Sequence, residues 1–173
     1  MIRQGMSRQD LMSNYSANMR RMLNDTLYSI NAYQNHILES DEDDLNELWF
    51  DMMETEKKNY KRMLDMLRRL DPVQGKMSKS SKLNGIHLNG SIAIPPPRNS
   101  MDKTKILCNI REDLMHQLNI INNYETMAMQ ASTPEIRNLI NEVIETKRHN
   151  VEVLSRALEQ LDADSYDEMQ LEM

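Results

Sequence analysis

Residues 54–59 read Glu-Thr-Glu-Lys-Lys-Asn, and 91 positions later residues 145–150 read Glu-Thr-Lys-Arg-His-Asn. The match extends far beyond these hexapeptides. Sliding the chain on itself by the same interval aligns Met19–Asp71 with Ile110–Asp162 without a gap. Arg20, Leu23, Leu27, Ile30, Asn31 and Tyr33 meet Arg111, Leu114, Leu118, Ile121, Asn122 and Tyr124. Leu48, Glu54, Thr55, Asn59, Leu67, Leu70 and Asp71 meet Leu139, Glu145, Thr146, Asn150, Leu158, Leu161 and Asp162, giving 13 identities in 53 positions. Chance apolar periodicity would align Leu with Leu. It would not hold Asn-x-Tyr and Glu-Thr-x-x-x-Asn in one register. The chain therefore reads as one helical hairpin written twice.

The hairpins predict four long helices, Arg8–Glu39, Asp44–Leu70, Asp102–Ala131 and Pro134–Leu161, with no sheet. Ser40–Asp43 makes the first turn and Ala131–Pro134 the second. Ser132-Thr133-Pro134-Glu135 is a helix start, with a hydroxyl cap, Pro in the first turn and Glu placed to bond back. Asp71-Pro72 is a helix stop, because Pro cannot continue a helix and restricts the residue before it. Pro72–Ser100 is rich in Gly, Ser, Asn and Pro and reads as a loop. Extended, it reaches ~95 Å, whereas the preceding helix is only ~42 Å long. The loop can thus cross the molecule and set the third helix parallel to the second. An up-down-up-down arrangement is the alternative. One domain is expected over 1–173, divided into repeats 19–71 and 110–162, a linker 72–100 of high mobility, and an acidic tail 163–173.

Composition narrows the class. Of 173 residues, 39% are apolar and 28% charged, with four Gly, as in a globular helical protein. Sixteen Met against one Phe and one Trp point to a core filled by unbranched, adaptable side chains, or else to a functional Met surface. A net charge of −6 without a basic stripe gives no support for nucleic-acid binding. The single Cys108 excludes an internal disulfide and suits a reducing compartment. The opening MIRQGMSRQD has no apolar leader core, and no run of about 18 apolar residues occurs. A cytoplasmic location without membrane contact is the expectation.

The core stripe is interrupted in a patterned way. The second helix presents Leu45, Trp49, Met52, Met63, Met66, Leu67 and Leu70, but Glu56 and Asn59 stand in the middle. The fourth presents Ile136, Ile140, Val143, Leu154, Leu158 and Leu161, with Lys147 and Asn150 in the equivalent places. Thr26 breaks the first helix, Met19 to Ile37, and Gln117 breaks the third, Ile106, Ile110, Leu114, Ile121, Tyr124 and Ala128. One polar residue on such a stripe is an ordinary locally bonded core residue. Six in matching register are a present or former site.

This arrangement resembles the di-metal carboxylate site of ferritin-like proteins, with one Glu from each of two helices and Glu-x-x-His from each of the other two. Arg111–Asp162 is especially similar to rubrerythrin-type and encapsulated-ferritin-like proteins, through Arg-Glu-Asp-Leu, Ile-Asn-Asn-Tyr and Pro-Glu-Ile. The resemblance implies an all-α ferritin-like four-helix bundle, made of two pseudo-symmetric hairpins joined by a long crossover. It also places the two lone ligands at Thr26 and Gln117. The two Glu-x-x-His motifs fall on Glu56-Lys57-Lys58-Asn59 and Lys147-Arg148-His149-Asn150. Of six ligands only Glu56 survives, and Lys147 puts a positive charge where metal would sit. Glu56 and Lys147 are expected within salt-bridge distance, ringed by Asn59, Asn150, Gln117 and Thr26. Tyr33 and Tyr124 would bond to this plug.

Competing sites are few. His36, His87, His116 and His149 lie off the stripe. Glu112/His116 and Glu145/His149 are i, i+4 pairs able to share a metal, and also what exposed helix faces routinely carry. Lys76, Lys79, Lys82 and Arg98 in the linker could meet the acidic tail, although solvated charge explains both. The reading is a non-catalytic structural or assembly module without a cofactor, self-associating as a homo-oligomer. The alternatives are a metal-binding ferritin or rubrerythrin-type protein for iron storage or peroxide handling, and a cargo or coat component of a larger assembly.

Overall fold

The computed structural model describes residues 8–80, 102–131 and 133–171. They form five helices: α1 (Arg8–Glu39), α2 (Asp43–Leu70), α3 (Pro72–Ser80), α4 (Lys103–Gln130) and α5 (Pro134–Leu171). No strand occurs among the described residues.

Two differences from the sequence expectation exceed a single residue. Pro72 does stop α2, but it also opens α3, in the stretch expected to be loop. Asp71 explains both roles. Its backbone is extended and its N–H still bonds to the Leu67 carbonyl, closing α2. Its carboxylate then accepts from the N–H groups of Val73 at 3.0 Å and Gln74 at 3.1 Å, capping α3. Pro at the first helical position costs nothing, because its N–H would have been unsatisfied there. The return is tight: a methyl group on Gly75 would lie 2.6 Å from the Arg68 carbonyl oxygen. The rest of the linker, 81–100, lies outside the described residues. The second difference is at the other end, where α5 continues to Leu171 through what reads as an acidic tail. No Gly or Pro interrupts 135–171, and Ala163, Glu168, Met169, Gln170 and Leu171 all favour helix.

The start of α4 is capped by Asp102, whose carboxylate accepts from the Thr104 and Lys105 N–H groups, and these bonds lower its pKa. At α5 the Thr133 hydroxyl accepts from the Ile136 N–H at 3.4 Å. Glu135 pairs with Arg69 of α2, and Ser132, the other half of the expected capping box, lies outside the described residues.

Contacts between helix ends fix the directions. Arg20 of α1 pairs with Asp71 beyond α2, so these two helices are antiparallel. Arg111 of α4 pairs in the same manner with Asp162 of α5 at 3.2 Å. Lys105 at the start of α4 pairs with Glu39 at the end of α1, and the Tyr15 hydroxyl donates to the Gln130 carbonyl at the opposite end. Arg62 and Arg69 of α2 reach Glu142 and Glu135 of α5. It follows that α2 and α4, the helices flanking the linker, run parallel.

The interior holds two apolar clusters. One gathers Met19, Met22, Met63, Met66, Tyr124, Ile140 and Val143 with their neighbours, and the other Tyr33, Trp49, Met52, Ile106, Ile110 and Leu154. The buried stripe of α4 is rotated from the expected one. Ile120 and Asp113 are buried, while Leu114 and Ile121 are only partly covered. Each fully buried apolar side chain removes its surface from water, worth ~1.5–3 kcal/mol. Met63→Ala should therefore cost ~2–5 kcal/mol in urea denaturation, against no more than ~0.5 for an exposed-site change. Met129→Ala, at a side chain 77% exposed, supplies the comparison, and equal shifts for the two would place Met63 outside the core.

Candidate functional site

Between the two apolar clusters lies a buried polar layer. Thr26 comes from α1, Glu56 and Asn59 from successive turns of α2, Gln117 from α4, and Lys147 and Asn150 from successive turns of α5. All six are buried, and Glu56 and Lys147 are 0% exposed. Lys147 Nζ donates to Glu56 Oε1 at 2.7 Å. Asn150 Nδ2 donates to the same oxygen at 3.3 Å. Placing one charge in this environment alone would be prohibitive, whereas the two charges neutralise one another within hydrogen-bond distance.

Both tyrosines border the layer. Gln117 Nε2 donates to the Tyr33 hydroxyl at 2.8 Å. The Tyr124 hydroxyl lies 3.2 Å from the Met22 carbonyl and 3.3 Å from the Asp25 carboxylate, either of which can accept its proton. Burial raises the pKa of Tyr33 well above the ordinary phenol value, and the negative charges of Asp113 and Glu56 add to it. Burial, Asp25 and Glu56 do the same for Tyr124. Both phenols consequently stay protonated; Tyr33 accepts from Gln117, and Tyr124 donates.

A second buried network escaped the sequence reading. Asp113 of α4 is buried and accepts from the Trp49 indole N–H of α2 at 3.2 Å. Its carboxylate is also 3.4 Å from His36 Nε2 of α1, whose ring lies 5.0 Å from that of Trp49. The signal available was indirect: Asp113 stands one turn before Gln117, and a buried indole needs an acceptor. On the other side of Gln117, His116 lies against Tyr28 of α1 with ring centroids 4.5 Å apart. Desolvation lowers the pKa of His116, and the Lys147 charge lowers it further.

The i, i+4 pairs Glu112/His116 and Glu145/His149 do not converge on one point. Glu112 and His149 are exposed, and Glu145 is engaged by Arg148 at 2.6 Å. Among the described residues, no group of three His, Cys, Asp or Glu side chains is placed to hold a metal ion. His87 lies outside the described residues. No described helix is long and apolar enough to cross a membrane.

No protein-family model, no curated protein and no solved structure matches the chain.

Two measurements follow from this geometry. Lys147→Met should cost ~3–5 kcal/mol, because it strands the Glu56 carboxylate in the interior. Adding Glu56→Leu should recover much of that loss, since no buried charge then remains. Single and double variants that melt alike would show the pair to be energetically idle. The second measurement concerns acid. His116 takes up a proton less readily folded than unfolded, so its contribution to stability is complete above pH ~6.5 and is lost as pH falls below it. The melting temperature should therefore drop from pH 7.5 to 5.5, and drop less in His116→Gln. An identical drop in the two proteins would assign the acid sensitivity to other groups.

Proposed function

We propose that this chain is a non-catalytic, ferritin-like four-helix bundle of two related hairpins, in which a neutral polar plug stands in place of a di-metal centre. The observation that carries this reading is the Lys147–Glu56 ion pair, which joins residues one repeat interval apart between the two apolar clusters. Other contacts recur at the same interval and support the two-hairpin reading. Arg20–Asp71 has its counterpart in Arg111–Asp162, and the Thr55 hydroxyl bond to the Asp51 carbonyl in that of Thr146 to Glu142. The parallel course of α2 and α4 suits a single long crossover.

The donor set argues against resident metal. Iron, manganese and zinc at such sites need several carboxylate or imidazole ligands. The six positions offer one carboxylate, three amides, a hydroxyl and an ammonium group, and the ammonium already occupies the carboxylate. These residues do not fit two cations, so no redox or hydrolytic step is assigned to them. What the plug can do is fix the depth at which α2 meets α5.

A structural role in assembly is the function this supports. Leu27 and Leu118, equivalent in the repeat, are 42% and 49% exposed, and Phe50 is 45% exposed. Apolar side chains placed outward in this way suit contacts between copies. Metal analysis after expression in iron- and manganese-supplemented medium, run beside a solution mass measurement, tests both parts. We expect well under one metal per chain and a mass above that of the single 20.3 kDa chain. Stoichiometric metal that Glu56→Ala abolishes would establish the metalloprotein instead, and a monomeric mass would remove the assembly role.

A further inference from the structure

Four buried polar atoms of the layer lack a hydrogen bond of normal geometry within the protein: Thr26 Oγ1, which has the Tyr124 hydroxyl as a neighbour, and Glu56 Oε2, Asn59 Nδ2 and Gln117 Oε1. Their residues are all more than nine-tenths buried, so bulk solvent cannot serve them. Folded interiors leave few such atoms unpaired. Here four occur in one layer, on three helices, beside a carboxylate whose other oxygen already takes both donors of α5.

Their chemistry specifies what would join them. Glu56 Oε2 and Gln117 Oε1 can only accept hydrogen bonds, Asn59 Nδ2 can only donate, and the Thr26 hydroxyl can do either. A bridging molecule must therefore donate twice and accept at least once. It must also be uncharged. The Glu56 carboxylate is matched by Lys147 at 2.7 Å, so an added cation would face the ammonium group and an added anion the carboxylate. Finally it must be small, since large apolar side chains close the layer on both sides.

We propose that the layer binds one enclosed water molecule, which donates to Glu56 Oε2 and Gln117 Oε1 and accepts from Asn59 Nδ2 and the Thr26 hydroxyl. Water has two donors and two acceptors, and buried waters typically make two to four bonds to otherwise unpaired groups. The inference rests on the reading of the layer as a metal-free plug. It adds that α1, α2 and α4 are tied together through a bound molecule, while α5 is tied directly.

A crystal structure of the wild-type protein, with data also collected at the iron and manganese absorption edges, tests it. The expected result is a peak without anomalous signal at about 2.7–3.2 Å from these four atoms. An anomalous peak there would overturn both the water and the metal-free reading. No peak, with the four side chains paired among themselves, would overturn the water alone and leave the ion-paired plug standing. Oxygen-17 relaxation dispersion supplies the solution measurement. Thr26→Val with Gln117→Met removes two of the four partners, and the number of long-lived waters should fall by about one per chain. An unchanged number overturns the assignment.

Discussion

The Lys147–Glu56 ion pair is the constraint around which the rest of the interior is arranged. Both charges are fully enclosed, with no surface exposed to solvent. Such a pair contributes little net stability compared with an apolar core, yet breaking it is costly. Its effect is therefore on geometry. Sliding α5 by a single residue along α2 would move the ammonium group 1.5 Å and rotate it by about 100°, out of reach of the carboxylate. Apolar clusters above and below tolerate such slips far better, particularly when much of the packing is Met. The charged layer is what makes one register much better than its neighbours.

Methionine and the polar layer complement each other. Met19, Met22, Met63, Met66 and Met127 crowd into one of the two clusters. Their flexible thioethers can fill the irregular space left beside amides and a charge pair, where branched side chains would force voids or strained rotamers. The other cluster is organised around Trp49 instead, and there the indole N–H has to be answered by Asp113. Shape is thus adjusted by soft side chains at one end and by a specific hydrogen bond at the other.

The helices and the six polar positions were readable because their signals are redundant. A polar interruption at Glu56 and Asn59 alone would have been ambiguous; the same spacing at Lys147 and Asn150 removed the ambiguity. What could not be read depended on choices that periodicity leaves open. Ile120 and Ile121 are adjacent and both apolar, so the α4 stripe could turn either way, and contacts with other helices decided it. Asp113 became buried with it, satisfied by His36 and Trp49 from distant parts of the chain. Asp71-Pro72 signals a stop, but the same two residues in that order also start a helix. The acidic residues after Leu161 give no periodic apolar signal, yet the backbone stays helical to Leu171, where no Gly or Pro stops it.

One property of the ion pair bears on which segments of the chain can pack together. Its two members stand one repeat interval apart, at corresponding places of the sequence repeat. Had both copies kept Glu, or both kept Lys, docking them would have buried like charges against each other. With Glu in one copy and Lys in the other, two like segments packed together would bury like charges, whereas the unlike segments bury a matched pair. Exchanging one half of the chain for a second copy of the other would therefore strand two like charges in the interior.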